Sequence, residues 1–325
     1  MKMPQPICVV QFTHPGGEHT LSRAEKKAGN NIKGWNYDGH KRKFMRTIGT
    51  CLDNEDQLLV DQDLLFWGEW EPTSSVVPVT QFQGNGVMPT LVQTPFLQKN
   101  NAGDVNDPWN NGVVRTRNGQ KQPCERQNTD PFIFADNFFY CCCKQSFKKL
   151  RSLDPGSIIL FGSTISAKQG GPYFVLDTVF VVGDSCDYTP GMSGTYKQDL
   201  HGFIPVDYDQ IMGFGNWNNP NMNKFVCYKG ATYGNKINGM FSYAPCKLCN
   251  GNVIGFPRVR IGGALLNRLF TGKIIFNDNL NTAPKITIMN CINDSKLVWD
   301  EISKQVQQQG FIKGLSFKYY NQIVP

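Results

Sequence analysis

Two apolar runs constrain this chain most: Ser157–Gly162 (SIILFG) and Tyr173–Val182 (YFVLDTVFVV), separated by a short glycine-containing stretch. β-Branched and aromatic residues dominate both, and each has the length of a buried strand. The turn Leu153-Asp154-Pro155-Gly156 launches the first run. Proline presets one of its dihedrals and glycine takes the positive one. The runs predict two paired strands, both largely buried. Asp177 is the one charged residue inside the second. A carboxylate there needs a partner, a backbone turn for example, or its proton affinity rises.

The same punctuation recurs along the chain. Ile7–Phe12, Leu64–Glu71 (stopped by Pro72), Val113–Arg115, Phe225–Tyr228, Met240–Tyr243, Lys273–Phe276, Lys285–Met289 and Leu315–Tyr320 read as strands. Residues 81–130 and 184–223 are rich in turn formers and read mainly as long loops. One helix is signalled, Lys296–Gln309, with Asp294 or Ser295 to cap it and Gly310 to end it. Val298, Ile302 and Val306 give it one apolar face. Strands outnumber helices without regular alternation. The expected class is therefore α+β: a β-rich core, long loops, and a C-terminal helix followed by a strand. The 325 residues suit one compact domain, subdivided into a His- and Trp-rich 1–130 carrying the candidate site and a β-rich 131–325.

Several classes are excluded on this reading. No apolar stretch approaches the roughly 18 residues of a membrane-spanning helix, so no membrane partner is expected. The start, MKMPQPICVVQF, lacks the apolar region of a secretory signal. Eleven cysteines, three of them adjacent at Cys141, Cys142 and Cys143, do not suit an extracellular disulfide framework. The cytoplasm is the expected compartment. Cys246 and Cys249 form a CxxC pair. A structural zinc needs four ligands, so Cys227 and one of the triplet would have to complete the set across space; otherwise the pair is two packed thiols.

Charge is concentrated near the start. The first fifty residues hold nine basic against three acidic side chains, and the next thirty hold seven acidic and no basic ones. The remaining residues therefore carry +8, which brings the whole chain to its net +7. Three of the four histidines, His14, His19 and His40, fall in the first forty positions. Two such blocks suggest segments that meet or face one another.

Four candidate sites follow. In His14-Pro15-Gly16-Gly17-Glu18-His19 a strand runs into a loop whose glycines permit close ligand approach. The bland reading is a polar turn whose histidines cap carbonyls. From Gly34 to Phe44, Trp35 and Tyr37 interleave with His40, Lys41, Arg42 and Lys43, a pattern that suits phosphates and stacked bases or, equally, a solvated turn. In Phe66–Pro72 (FWGEWEP), period-two geometry puts Trp67, Glu69 and Glu71 on one face and Phe66, Gly68 and Trp70 on the other. Carboxylates two residues apart on a strand stand about 7 Å apart, which suits an acid/base pair or groups flanking a substrate. They would also simply neutralise the basic segment. In the fourth, Asp130–Gln145, the aromatics read as core, and Asp136, Asn137 and Lys144 are the polar residues needing explanation.

The segment from Phe138 to Val182 resembles PUA-like domains of the ASCH, EVE and nucleotide-modification-associated families. The likeness rests on a lysine-rich lead-in, a Pro-Gly turn, a strand ending in Phe161-Gly162-Ser163, and a following strand carrying Asp177. The family usually places an acidic residue after the Pro-Gly, where this chain has Ser157. His14–His19, Phe66–Pro72 and Gly239–Ser242 are otherwise similar to motifs of uncharacterised bacterial proteins. The resemblance implies a partly open barrel whose pocket accepts a base, with residues 161–163 where the strand emerges.

Three functional readings result. In the first, the chain binds nucleic acid or a nucleotide, a modified base being one candidate, with residues 35–46 on phosphate and Trp67 or Trp70 stacking. In the second it is a metal-dependent or acid/base hydrolase acting on a nucleotide or nucleic acid. His14, Glu18, His19, Glu69 and Glu71 then converge, with a divalent metal as cofactor where one is used. In the third it is an oligomerising module whose Trp-rich strand is a protein interface.

Overall fold

The central hairpin is the spine of the larger sheet in the computed structural model, which describes residues 6–13, 42–70, 74–78, 91–95, 113–115, 121–123, 129–165, 173–190, 195–212, 214, 224–249, 258–262 and 284–320. Strand β1 is Cys8–Thr13, β8 Phe139–Tyr140, β9 Ile158–Ile165, β10 Tyr173–Tyr188, β11 Phe225–Gly230, β13 Val259–Gly262 and β14 Lys285–Ile288. Their order is β14-β1-β9-β10-β11-β8, with β13 also on β10. β1 runs parallel to β9, with Thr13 opposite Gly162. The Pro-Gly turn forms as expected: Gly156 takes φ +89° and the Ser157 N–H donates to the Asp154 carbonyl at 3.0 Å. Ser157, where the PUA-like pattern has an acid, accepts the Cys8 N–H on its Oγ at 3.0 Å and so fastens β1 beside β9.

The second sheet takes β2 (Arg42–Leu52), β3 (Leu58–Glu69), β4 (Ser74–Pro78), β5 (Leu91–Pro95), β12 (Ala244–Leu248) and β15 (Ile312–Phe317), in the order β15-β12-β3-β2-β5-β4. β15 also pairs with β2, so β2, β3, β12 and β15 close a ring that β5 and β4 extend on one side. β6 (Val113–Arg115) and β7 (Lys121–Pro123) pair as a separate ribbon. The chain is thus α+β with a β-rich core, and strands from both sides of residue 130 share each of the two large sheets.

Two hydrophobic clusters flank these strands. One gathers Phe12, Phe66, Trp70, Phe134, Tyr140, Phe161 and Phe317; the other gathers Val9, Phe44, Trp67, Leu160, Val179, Trp299 and Ile302. β1, β3 and β9 feed both, which is why each holds consecutive apolar residues, as in Leu64–Trp67 and Ile158–Phe161, where a half-buried strand would alternate. β10 changes phase within the sheet. Phe174 and Leu176 face the same cluster as Val179 and Val181, because the register against β9 shifts between Leu176 and Thr178. Asp177 is the extra residue of that bulge, re-aimed out of the alternation.

Helices α1 (Thr195–Asp199) and α2 (Val206–Met212) lie in the stretch expected to be loop, and β10 continues six residues past Val182. The C-terminal helix α3 spans Ile292–Gln308, about one turn earlier than expected, with Cys291 at its N-cap. Asp294 sits inside the first turn and accepts the Asn290 N–H at 3.2 Å. Val298, Ile302 and Val306 form the buried face, and Gly310 ends the helix at φ +75°. Among the described residues, no helix is long and apolar enough to cross a membrane. The Lys273–Phe276 strand lies outside the described residues, and Met240 and Tyr243 make isolated bridges just ahead of β12.

Candidate ligand site

Three pieces of chain meet where β1 and β3 end. The first is Thr13, the last residue of β1, 4% exposed. The second is Glu69, the last residue of β3, a carboxylate only 7% exposed. The third is the turn Cys141–Lys144. Lys144 has φ +56°, a conformation that redirects its side chain. Its Nζ donates to the Thr13 carbonyl and lies 5.3 Å from the centroid of the Phe12 ring. Glu69 is near enough to Cys143 to raise the affinity of that thiol for its proton.

The turn is held from below by a buried carboxylate. Asp130 Oδ1 accepts the Cys141 N–H at 2.9 Å, and Oδ2 accepts the N–H groups of Cys142 and Cys143, each at 2.9 Å. Tyr188 Oη donates to the Cys141 carbonyl at 3.0 Å and Tyr140 Oη to the Cys143 carbonyl at 2.6 Å. Gln145 closes the segment against β11, exchanging two hydrogen bonds with the Val226 backbone at 2.6 and 2.9 Å. Burial raises the Asp130 pKa even though three backbone donors pull it down. The Cys142 hydrogen bond, burial and neighbouring groups hold the Cys143 thiol well above its ordinary value, so it is a neutral polar group and not a ready nucleophile.

Ser163 adds a fourth polar group. Thr13 pairs with Gly162, so Ser163 is one residue further along the same edge. It shares the sheet face of Phe161, whose ring lies 4.7 Å from that of Phe12, the ring beneath Lys144. Ser163 is fully buried and its Oγ makes no hydrogen bond. An ammonium, a carboxylate and a thiol thus lie near the ends of β1 and β3, above the buried rings of Phe12, Phe161 and Tyr140, with the Ser163 hydroxyl buried beside Gly162. Such a set can hydrogen-bond a flat polar ligand and oppose an anionic one.

The basic and acidic blocks do face one another. β2 and β3 are antiparallel neighbours, with Arg42 opposite Glu69 and Lys43 opposite Gly68. The one ion pair between these strands among the described residues joins Arg46 and Asp63 at 2.6 Å. His14, Glu18, His19, Trp35, His40, Lys41 and Glu71 lie outside the described residues, and of Arg42 and Lys43 the backbone alone is described.

Both tryptophans of FWGEWEP are core residues and not a stacking platform. Trp67 is 2% exposed, with Phe44 at 5.2 Å and the Arg258 guanidinium 4.7 Å from its ring. Trp70 is fully buried against Phe134 at 4.6 Å and Tyr319 at 5.5 Å. Their opposite faces match the period-two reading, but both faces are interior.

Asp177 has a charged partner where a backbone turn was expected: Arg258 donates through Nε at 2.8 Å and also through its terminal nitrogen. Asp136 is exposed in a turn at φ +58°, its N–H donating to Ser316 Oγ, away from the Lys144 contacts. Cys246 is buried on β12 with its thiol on the Ile312 carbonyl, and Cys249 is half-buried; neither belongs to a group of gathered ligand atoms among the described residues. Sequence reasoning named Asp130 only as the start of a candidate segment and Cys143 only as one of the triplet, and it missed Arg258. The Asp-Pro step and the Cys triplet were signals for the first two, whereas Arg258 stands in a Gly- and Pro-rich stretch with none.

No protein-family model, curated protein or solved structure matches the chain.

Proposed function

We propose that this protein binds a nucleotide or a nucleic-acid strand at the edge formed by Thr13, Glu69, Cys143, Lys144 and Ser163. The observation that carries the reading is Lys144, bridged to the end of β1 and adjacent in the turn to Cys143, which the buried Glu69 approaches from the end of β3. A cation there meets phosphate, and a desolvated carboxylate accepts hydrogen bonds from a base amino or imino group. Ser163 Oγ, buried without a partner, is a further group for a ligand to satisfy. The PUA-like resemblance points the same way, toward a pocket that accepts a single base.

Trp67 and Trp70, as core residues, take no part in stacking in this reading. The test is equilibrium binding of mononucleotides and of single- and double-stranded oligonucleotides across a salt series. Affinity that falls steeply with salt is expected, and Arg42→Ala with Lys43→Ala reduces the slope. Absence of binding to every member of the panel, or affinity indifferent to salt, removes the proposal.

Glu69 favours a second reading, acid/base hydrolysis of the same ligand, because a buried carboxylate is a group enzymes use for proton transfer. Glu69→Gln separates the two. Loss of turnover with affinity and melting temperature retained assigns a hydrolase, and loss of affinity alone assigns a binder.

A further inference from the structure

Beneath the ligand edge lies a second cluster. Among the described residues, one group of metal-ligating side chains has its donor atoms gathered: a carboxylate oxygen of Asp130 and the Sγ atoms of Cys141 and Cys142 all lie within 4.8 Å of one another. All three residues are buried. We propose that Asp130, Cys141 and Cys142 bind one zinc ion, with water completing its four ligands.

The donor set decides the class of ion. Two sulfurs and one oxygen suit a thiophilic cation that accepts four ligands, and they exclude calcium and magnesium, which take oxygen. The frame is already built. Asp130 is fixed by three N–H donors that belong to the very residues bearing the thiols. Carbonyls of the same turn are anchored by Tyr140 and Tyr188. Supports of this kind orient ligands in metal sites.

The Cys142 thiol lies at the middle of the set, hydrogen-bonded with the Asp130 carboxylate and with the thiols of Cys141 and Cys143. A cation that replaces the thiol protons keeps the same atoms around one centre. It also offsets the buried carboxylate, a charge whose burial is costly without a counter-charge. Binding removes the protons of Cys141 and Cys142 to solvent and forms two metal–thiolate bonds, so no oxidant or reductant is needed. The ion fixes the turn that ends in Lys144, which makes occupancy a determinant of the ligand edge. The site itself does not depend on the proposed nucleotide function.

The experiment uses the full chain, reduced and stripped with a chelator, then titrated with cadmium as a spectroscopic substitute for zinc. Expected are one equivalent of thiolate-to-cadmium charge-transfer absorption, at least two protons released into weak buffer, and displacement by zinc. Cys142→Ser is expected to weaken uptake by about 100-fold, while Cys51→Ser, a buried thiol of the other sheet, leaves it unchanged. Should Cys142→Ser fail to fold, the stoichiometry and proton count of the unaltered chain still decide. No charge-transfer band at one equivalent in the folded chain overturns the site, as does uptake that survives Cys142→Ser or is lost equally in Cys51→Ser.

Discussion

Arg258→Met tests the most sharply defined electrostatic feature of the core. Asp177 and Arg258 are paired with side chains 7% and 9% exposed, and the guanidinium also covers the Trp67 ring at 4.7 Å. Methionine keeps most of the packing volume but leaves the Asp177 carboxylate buried beside an apolar group. Breaking a buried pair from one side costs about 3–5 kcal/mol. An unfolding entropy of about 2.1 cal/mol/K per residue gives roughly 0.7 kcal/mol/K for a chain of this length, so the melting temperature falls by about 4–7 °C. Asp177→Leu combined with Arg258→Met removes both charges and the desolvation of each, and recovers most of that loss. Thermal melts of the two single variants and the double variant close the cycle. A shift below about 1 °C for Arg258→Met, or strictly additive losses in the double variant, refutes the reasoning.

Two further perturbations follow from the same physics. Burial raises the thiols of Cys8 and Cys51 to about 11 each from an ordinary 9.0. The unfolded chain releases these protons first, so stability is full below pH 9 and falls as pH rises toward 11. Each thiol contributes about 1.4 kcal/mol of loss by pH 10, visible as a melting temperature that drops between pH 8 and pH 10 and less so in Cys8→Ala; a flat profile contradicts it. Asp130→Ala strips the acceptor from three backbone N–H groups at once, and at about 1–3 kcal/mol per buried orphan urea denaturation is expected to show a loss of at least 3 kcal/mol. A loss below 1 kcal/mol means that the turn is held by other groups.

How far the sequence carried depends on where the information resides. The β9–β10 hairpin was legible because SIILFG and YFVLDTVFVV are buried on both faces and bounded by a Pro-Gly turn. β10 runs on to Tyr188 because the polar GDSCDY still pairs with β11, and pairing leaves no mark in hydropathy. β2 was not assigned. RKFMRTIGTCL buries Phe44 and Met45 in different clusters, so it shows neither alternation nor a continuous apolar run. The bulge at Asp177 is invisible for the same reason: one extra residue flips the phase of a strand that is apolar on either side. Gly310 ended the helix as read, because a positive φ is a local property.

The candidate site was legible in part. Blocks of opposite charge indicated that residues near 42 and near 69 face each other, and the register of β2 and β3 places Arg42 opposite Glu69. The approach of Lys144 to Thr13 spans 131 positions and depends on a backbone inversion at Lys144 that no neighbouring residue specifies. Trp67 and Trp70 resembled a binding strip because tryptophan beside glutamate often is one. Hydrophobic clusters on both faces of β3 turn them into core instead.

The most direct measurement is the affinity of Lys144→Ala for the oligonucleotide or nucleotide that binds best, set against Lys236→Ala, which removes an exposed cation stacked over Tyr233 on a different turn. The account predicts about tenfold weaker binding and a salt dependence shallower by about one phosphate contact for Lys144→Ala, with no change for Lys236→Ala and little change in melting temperature for either. Equal affinity and equal salt slope in Lys144→Ala and the unaltered chain would contradict a ligand site at the junction of β1, β3 and the Cys141–Lys144 turn.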